Sequence, residues 1–178
     1  METASFPVVY LLLLLLLLSG VSWFIVVQVL RTRKIESTLS RLQKKLSREK
    51  GTAQEHFELG SIYLTKNLAV QAIKQFQQAL KAAEGEPEEN LAPIYNALGY
   101  AYFTQEQYDL AIRNYKESLK VQPNYVTALN NLGHSYERKS LTNQALEAYE
   151  QVLTLEANNP TAKRRATSLR KRVVEARS

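Results

Sequence analysis

The sequence predicts an all-α fold: a superhelix of repeated helix pairs that follows a single N-terminal membrane-spanning helix and ends in a capping helix. Two features support this prediction. Residues 8–30 form an uncharged run of 23 residues, and a pattern of small and aromatic residues recurs three times between Ala53 and Asn159. A period of roughly 34 residues is typical of stacked helix pairs, none of which can bury its apolar face without a neighbour.

Val8 to Leu30 is predicted to be a transmembrane anchor. The run includes eight consecutive leucines, and it exceeds the roughly 20 apolar residues that a spanning helix needs. A cleaved signal peptide is the alternative, but Glu2 precedes the run, and the run is longer than the apolar part of such peptides. Basic residues stay on the cytoplasmic side of a membrane. Because Arg31 and two further basic residues follow directly, residues 1–7 are predicted to be a short lumenal segment and the remainder to be cytoplasmic or stromal.

Residues 31–51 are predicted to form a basic amphipathic juxtamembrane helix that Gly51 ends. Apolar residues recur in it at spacings of four, three and four, which places them on one helix face. This stripe consists of Ile35, Leu39, Leu42 and Leu46. Three interpretations stay open: the helix packs on the first repeat, lies on an anionic membrane surface, or dimerises as a short coiled coil.

The repeat signature is clearest in residues 92–125. Counted from the first residue of this stretch, Leu98 is at position 7, Gly99 at 8, Ala111 at 20 and Tyr115 at 24. These are the signature positions of a tetratricopeptide repeat, a helix–turn–helix unit. The small residues let the two helices approach closely, and the large ones fill the space around that contact.

Two further repeats and a cap are predicted around this unit. The first and third repeats span residues 53–86 and 126–159. An acidic linker, residues 87–91, makes the spacing between the first two repeats five residues longer than the standard period. Such a loop insertion costs little free energy, and a dedicated acidic contact site is the alternative. Residues 160–178 are predicted to be a basic capping helix with a polar outer face. A basic patch for membrane lipid or an acidic partner is the alternative role for this helix.

Charge is distributed unevenly along the chain. The net charge is +6 over residues 31–50, −5 over residues 51–160 and +6 over residues 161–178. Neither basic end carries interleaved aromatic residues or a known reader motif, so no nucleic-acid binding is predicted. The basic flanks are instead suited to contact with anionic lipid.

No enzymatic activity, cofactor or metal site is predicted. The chain has no cysteine, which excludes disulfides, zinc–thiolate sites and thiol nucleophiles. Its two histidines, His56 and His134, lie in different repeats. No carboxylate pair, phosphate-binding glycine loop or metal-ligand spacing accompanies them. The sequence therefore favours a binding scaffold.

A protein-binding groove is predicted along the first helices of the repeats. In tetratricopeptide repeats the concave face carries positions 2, 5, 9 and 12, counted here from Ala53, Ala92 and Val126. Large apolar side chains at these positions need not be core, and asparagine amides can both donate to and accept from a peptide backbone. The candidate residues are Phe57, Ser61, Leu64, Asn96, Tyr100, Phe103, Asn130, His134 and Glu137. The alternative for Tyr100 and Phe103 is packing against a neighbouring helix.

The segments occur in a specific order: a short anchor, three repeats and a basic cap. The most characteristic stretches are Leu-Arg-Thr-Arg (30–33), Lys-Gly-Thr-Ala-Gln-Glu (50–55), Tyr-Asn-Ala-Leu-Gly-Tyr-Ala-Tyr-Phe (95–103) and Gln-Tyr-Asp-Leu-Ala-Ile-Arg-Asn-Tyr (107–115). Over nearly its whole length the chain resembles the tetratricopeptide photosystem I assembly proteins of cyanobacteria and algal plastids. The resemblance implies a thylakoid membrane protein that binds subunits or assembly intermediates of photosystem I. An assembly factor for another bacterial membrane or envelope complex is the alternative.

Overall fold

The computed structural model describes residues 5–85 and 90–175, which form eight α-helices and no strand. This confirms the predicted all-α fold. The predicted lumenal segment 1–7 and the acidic linker 87–91 lie in large part outside the described residues. The helices are α1 (Ser5–Leu46), α2 (Ala53–Thr65), α3 (Ala69–Ala82), α4 (Leu91–Thr104), α5 (Tyr108–Val121), α6 (Val126–Arg138), α7 (Thr142–Leu155) and α8 (Pro160–Glu175).

α1 is one uninterrupted helix of 42 residues, about 63 Å long. It contains both the apolar run and most of the basic stretch that follows, and it ends five residues before Gly51. No glycine or proline stands between Leu30 and Leu46, and the residues there are mostly good helix formers, so the helix continues through the charged boundary. Among the described helices, α1 is the one that is long and apolar enough to cross a membrane, whose hydrocarbon core is roughly 30 Å thick.

α1 forms one compact unit of the chain, and α2 to α8 form a second. In the second unit each helix packs on the next one along the chain. The pairs α2–α3, α4–α5 and α6–α7 are the three predicted repeats, and α8 packs on α7. The buried face of α8 consists of Ala162, Ala166 and Leu169, which join the apolar core of the third repeat.

A glycine on the first helix of each repeat faces a buried aromatic ring on the second. In the middle repeat, a Cβ atom added at Gly99 would lie 2.8 Å from the ring of Tyr115 and 3.2 Å from the carbonyl oxygen of Ala111. The same contact joins Gly60 to Phe76 and Gly133 to Tyr149. The three rings are almost fully buried, so they have no room to move aside. Only glycine therefore allows the two helices to approach this closely.

The turn between the two helices has the same unusual backbone in every repeat. Asn67, Glu106 and Ser140 stand at the same repeat position and have φ near 58°, in the left-handed region that disfavours a side chain. In the second repeat the amide of Gln107 donates to the carbonyl oxygen of Tyr102, and the amide of Glu106 donates to that of Phe103. These are the two bonds of a Schellman motif, which ends the first helix and reverses the chain.

The first helices of the repeats form one wall of the array. α2 contacts α4 and α4 contacts α6, whereas among the described residues no two second helices share a contact of this extent. An array of helix pairs curves towards the side on which its helices are closer together. α2, α4 and α6 therefore line the concave side, where the sequence predicts the groove.

Gly99→Ala tests the close contact in the second repeat. The added methyl group would overlap the Tyr115 ring, at a cost of about 1–3 kcal/mol, and the better helix propensity of alanine offsets about 1 kcal/mol of this. We expect a net loss of about 1 kcal/mol in the free energy of unfolding, measured by urea denaturation of the detergent-solubilised protein. In a Tyr115→Leu background, which removes the ring, the same change should be neutral or stabilising. Equal effects in the two backgrounds would contradict the assigned contact.

Glu106→Gly tests the strain in the turn. Glycine adopts the left-handed conformation without the penalty of about 1–2 kcal/mol that a side chain incurs, although its unfolded state is more flexible. We expect Glu106→Gly to be more stable than Glu106→Ala by about 1 kcal/mol, from melting temperatures of the two proteins. Both variants lose the exposed ion pair of Glu106 with Arg138, so the comparison isolates the backbone. Equal melting temperatures would show that the turn is unstrained.

Candidate protein-binding groove

All nine predicted groove residues lie at the surface, but they differ in how much of the side chain is free. Tyr100 is 46% exposed, and the other eight are partly buried. The surface they form runs along α2, α4 and α6. Its three sections differ in chemistry, from apolar in the first repeat to polar in the third.

The first section combines apolar side chains with a cleft. Phe57 packs on Phe76 with ring centroids 5.7 Å apart, and Leu64 packs against the same core cluster. Ser61 donates its hydroxyl to the carbonyl oxygen of Phe57, 2.8 Å away. Between the beginnings of α2 and α4 lies a cleft of about 450 Å³. It is lined by Thr52, Ala53, Gln54, Phe57, Asn90, Pro93 and Ile94.

The middle section, on α4, has two aromatic side chains: one packs against neighbouring helices and the other remains partly exposed. Phe103 packs on His134 of the third repeat, with centroids 4.8 Å apart, and meets Tyr108 edge-on at 5.4 Å. Phe103 therefore packs against neighbouring helices, which was the alternative to a free position in the groove. Tyr100 remains about half exposed on the same helix, and it is the one large apolar residue of α4 so exposed. It is the groove residue best placed to contact a partner.

Asparagine side chains connect the second and third repeats. Asn131 donates through Nδ2 to Oδ1 of Asn96 at 3.0 Å, so the acceptor of Asn96 is already used. Asn130 donates to the carbonyl oxygen of Val126 at 3.2 Å. In the described part of the chain, its Oδ1 is the one buried side-chain polar atom without a hydrogen-bond partner. The sequence prediction missed Asn131. This residue is at position 6 of its repeat, next to position 5 but not among the four positions predicted to face the groove.

Glu137 holds three helices together. Its Oε1 atom accepts a hydrogen bond from the Tyr149 hydroxyl at 2.7 Å, and its Oε2 atom lies 3.4 Å from Nη1 of Arg165 on α8. The side chain of Glu137 is only 14% exposed. Burial, together with the hydrogen bond and charge of Glu137, raises the pKa of Tyr149, which therefore remains a neutral donor. Glu137 is thus a brace between α6, α7 and α8 rather than a free groove carboxylate.

His134 contributes an uncharged ring to the groove. Burial lowers the pKa of His134, and the positive charge of Arg165 lowers it further, against the opposing effect of Glu137. The imidazole is therefore neutral at pH 7 and suited to stacking on Phe103. The other histidine, His56, lies 2.8 Å from Gln75 through Nδ1 in the first repeat. Among the described residues, no group of three potential ligands is arranged to hold a metal ion.

Comparison with known proteins identifies the repeats and their relatives. Residues 99–140 match the TPR repeat family, and residues 126–159 match a tetratricopeptide repeat family. The protein ycf37 of Cyanophora paradoxa is 36% identical over 90% of this chain and 91% of its own length. The chain belongs to the ycf37 family of tetratricopeptide-repeat proteins. The resemblance drawn from the sequence is therefore confirmed at the level of the family.

This ycf37-family chain is also similar in sequence to a chloroplastic protein and similar in fold to a solved structure. The chloroplastic tetratricopeptide-repeat protein PYG7 of Arabidopsis thaliana is 38% identical over 95% of this chain, which spans 56% of the length of PYG7. The crystal structure of MamA superposes with a TM-score of 0.72 at 20% identity, over 79% of this chain and 80% of MamA. At that identity the MamA likeness shows the fold alone. The matched families are protein-interaction repeats, and none of them is an enzyme family.

The lowered pKa of His134 predicts a pH dependence of stability. Below about pH 6.5 the unfolded chain takes up a proton at His134 that the folded chain resists, so the free energy of unfolding falls as pH decreases. His134→Gln lacks this component. We expect the wild type to lose more stability than His134→Gln between about pH 7.5 and about pH 5.5, by urea denaturation. Equal losses would contradict the lowered pKa, since the carboxylates titrate alike in both proteins.

Proposed function

We propose that this chain is a membrane-anchored scaffold without enzymatic activity, which binds protein partners during the assembly or stabilisation of photosystem I in the thylakoid membrane. The observation that carries the proposal is the partly free aromatic and amide surface on α4 and α6, in a chain whose other unit is a helix able to span a membrane. Membership in the ycf37 family and the chloroplastic relative PYG7 support a photosynthetic membrane as the location.

The proposed anchor is the apolar run of α1. Its leucines are all more than half exposed, which in water would be costly and in a bilayer is favourable. Arg31, Arg33 and Lys34 follow the run, so the positive-inside rule predicts the repeats on the cytoplasmic or stromal side. Confinement to the membrane plane raises the effective concentration of the groove towards membrane-bound partners. Weak, reversible contacts would then suffice for a role in assembly.

The proposed binding surface centres on Tyr100. An exposed aromatic ring on a rigid helix offers a large contact area at low cost in conformational entropy, and such residues often dominate the binding energy of an interface. Asn96 retains its amide donor beside this ring, because in the described part of the chain its oxygen alone is engaged, by Asn131. The surface is therefore suited to an extended or helical protein segment that buries apolar side chains and bonds through its backbone.

Tyr100→Ala tests the proposed function. Truncation of a central aromatic contact costs about 2 kcal/mol or more in binding, which corresponds to roughly a thirtyfold loss of affinity. In cells that lack the native gene and carry the variant, we expect less photosystem I relative to photosystem II, measured by low-temperature fluorescence and immunoblotting of thylakoids.

Leu110→Ala is the matched control for this experiment. Leu110 is 40% exposed on α5, the second helix of the same repeat, so its truncation removes a similar exposed group outside the groove. Its photosystem I content should match that of the wild type. Photosystem I that is unaffected by deletion of the gene would rule out the proposed function. A defect equal to that of the deletion strain in both variants would assign the effect to folding instead of the groove.

A further inference from the structure

α8 follows the third repeat in the place that the first helix of a further repeat would take. Counted from Pro160, the four groove positions of this helix are held by residues that are all exposed. They are Thr161, Arg164, Ser168 and Lys171. The contact of Arg165 with Glu137, 3.4 Å long, places this side of α8 next to the groove residues of α6.

Three exposed basic side chains of α8, two of them at groove positions, have no acidic partner among the described side chains. Other basic residues of α8 are engaged: Arg170 donates to Glu150 at 2.8 Å, and Lys163 donates to Asn158 at 2.9 Å. Arg164, Lys171 and Arg172 make no such contact in the described part of the chain. Arg164 and Lys171 are seven residues apart, so they lie two turns apart on one helix face. We call these three residues the basic end.

The remainder of the groove carries almost no charge. The eight groove positions of the first two repeats hold no ionisable acid or base other than the phenol of Tyr100. Glu137 is the one carboxylate at any groove position, and it is neutralised by Arg165. His134 beside it is uncharged at pH 7, because burial lowers its pKa. The groove therefore changes from apolar to positively charged in one direction, along α4, α6 and α8.

Neither a further repeat nor a lipid surface suits the basic end. Thr167 occupies the position that glycine holds in each of the three repeats, so another helix could not approach α8 in the way that second helices approach the first. A helix that lies on a membrane presents an apolar face to the lipid, but that face of α8, formed by Ala162, Ala166 and Leu169, is buried in the array. The exposed charges instead favour a partner that is itself a protein segment with carboxylates.

We propose that the groove binds a protein segment in which apolar residues lie against Tyr100 and a cluster of acidic side chains lies on Arg164, Lys171 and Arg172. This inference rests on the proposed binding function and specifies the chemistry of the partner. Packed helices are roughly 10 Å apart, and α4, α6 and α8 are alternate helices of the array, so the step from α4 to α8 spans at least about 20 Å. An extended segment covers about 20 Å in about six residues. The apolar and acidic parts of the partner are therefore at least about six residues apart.

Synthetic peptides test this inference with the full-length chain in nanodiscs of neutral phosphatidylcholine. The probe is a fluorescent peptide of about 14 residues with two leucines, a Ser/Gly spacer of about six residues and three glutamates. A second peptide has glutamine in place of glutamate. Three screened surface ion pairs are each weak, and together they should give the acidic peptide roughly tenfold higher affinity by fluorescence anisotropy. The preference should shrink between about 50 mM and about 500 mM salt.

Charge reversal identifies the residues responsible. The variant Arg164→Glu/Lys171→Glu/Arg172→Glu should lose the preference for the acidic peptide and keep its affinity for the glutamine peptide. The matched control, Lys74→Glu/Lys81→Glu/Arg113→Glu, makes the same change in charge on exposed positions of second helices. It should retain the preference, which separates a local contact from the overall charge of the protein.

Each alternative outcome has a distinct meaning. If both peptides bind wild type equally while Tyr100→Ala weakens them, the groove function stands and the basic end is not an acidic-segment site. If neither peptide binds wild type, the proposed groove function and this inference both fail. If charge reversal leaves peptide binding unchanged but abolishes capture by vesicles containing about 30% phosphatidylglycerol, the basic end serves a lipid surface, and the inference is overturned.

Discussion

The contact between a glycine and a buried aromatic ring is the constraint on which the rest of the repeat array depends. It sets the distance between the two helices of each repeat, because the ring fills the space that a side chain on the glycine would need. The close pair then presents one continuous apolar face to the next pair. Ala72 and Phe76 of the first repeat, for example, share a core with Ile94 and Leu98 of the second. Curvature of the array, and with it the concave wall, follows from repeating this one geometry.

Polar groups in the third repeat connect the capping helix to the array. A carboxylate that is mostly removed from water needs partners, and Glu137 has them in the Tyr149 hydroxyl and the Arg165 guanidinium. Those partners lie on α7 and α8, so the brace couples the capping helix to the groove helix. A braced end matters for a binding surface, because less conformational entropy is lost when a partner docks. Because Glu137, the one acid at a groove position, is paired with Arg165, it does not attract the side chains of the basic end.

The groove candidates differ in how much of each side chain is engaged in packing. Phe57, Leu64 and Phe103 contribute part of their surface to the core or to a neighbouring ring, whereas Tyr100 remains about half exposed. Partial burial restricts the conformations open to the surrounding side chains. The free ring is thus presented on a surface whose neighbours do not have to rearrange. Such preorganisation lowers the cost in conformational entropy when a partner docks.

The sequence by itself determined the helical class, the three repeats, the glycine contacts and the family, because these follow from spacings within about 34 residues that every unit repeats. The sequence did not reveal that α1 is one continuous helix. The change from apolar to charged residues suggests a boundary, but no glycine or proline stands there to end the helix. The left-handed turns at Glu106 and Ser140 were also hidden, because neither residue type signals that backbone.

Only the tertiary structure decided which groove candidates are free. Asn96 meets Asn131, and Glu137 meets Arg165, across gaps of 35 and 28 residues. Those partners are set by how one repeat stacks on the next, and a pattern local to each repeat does not contain that information.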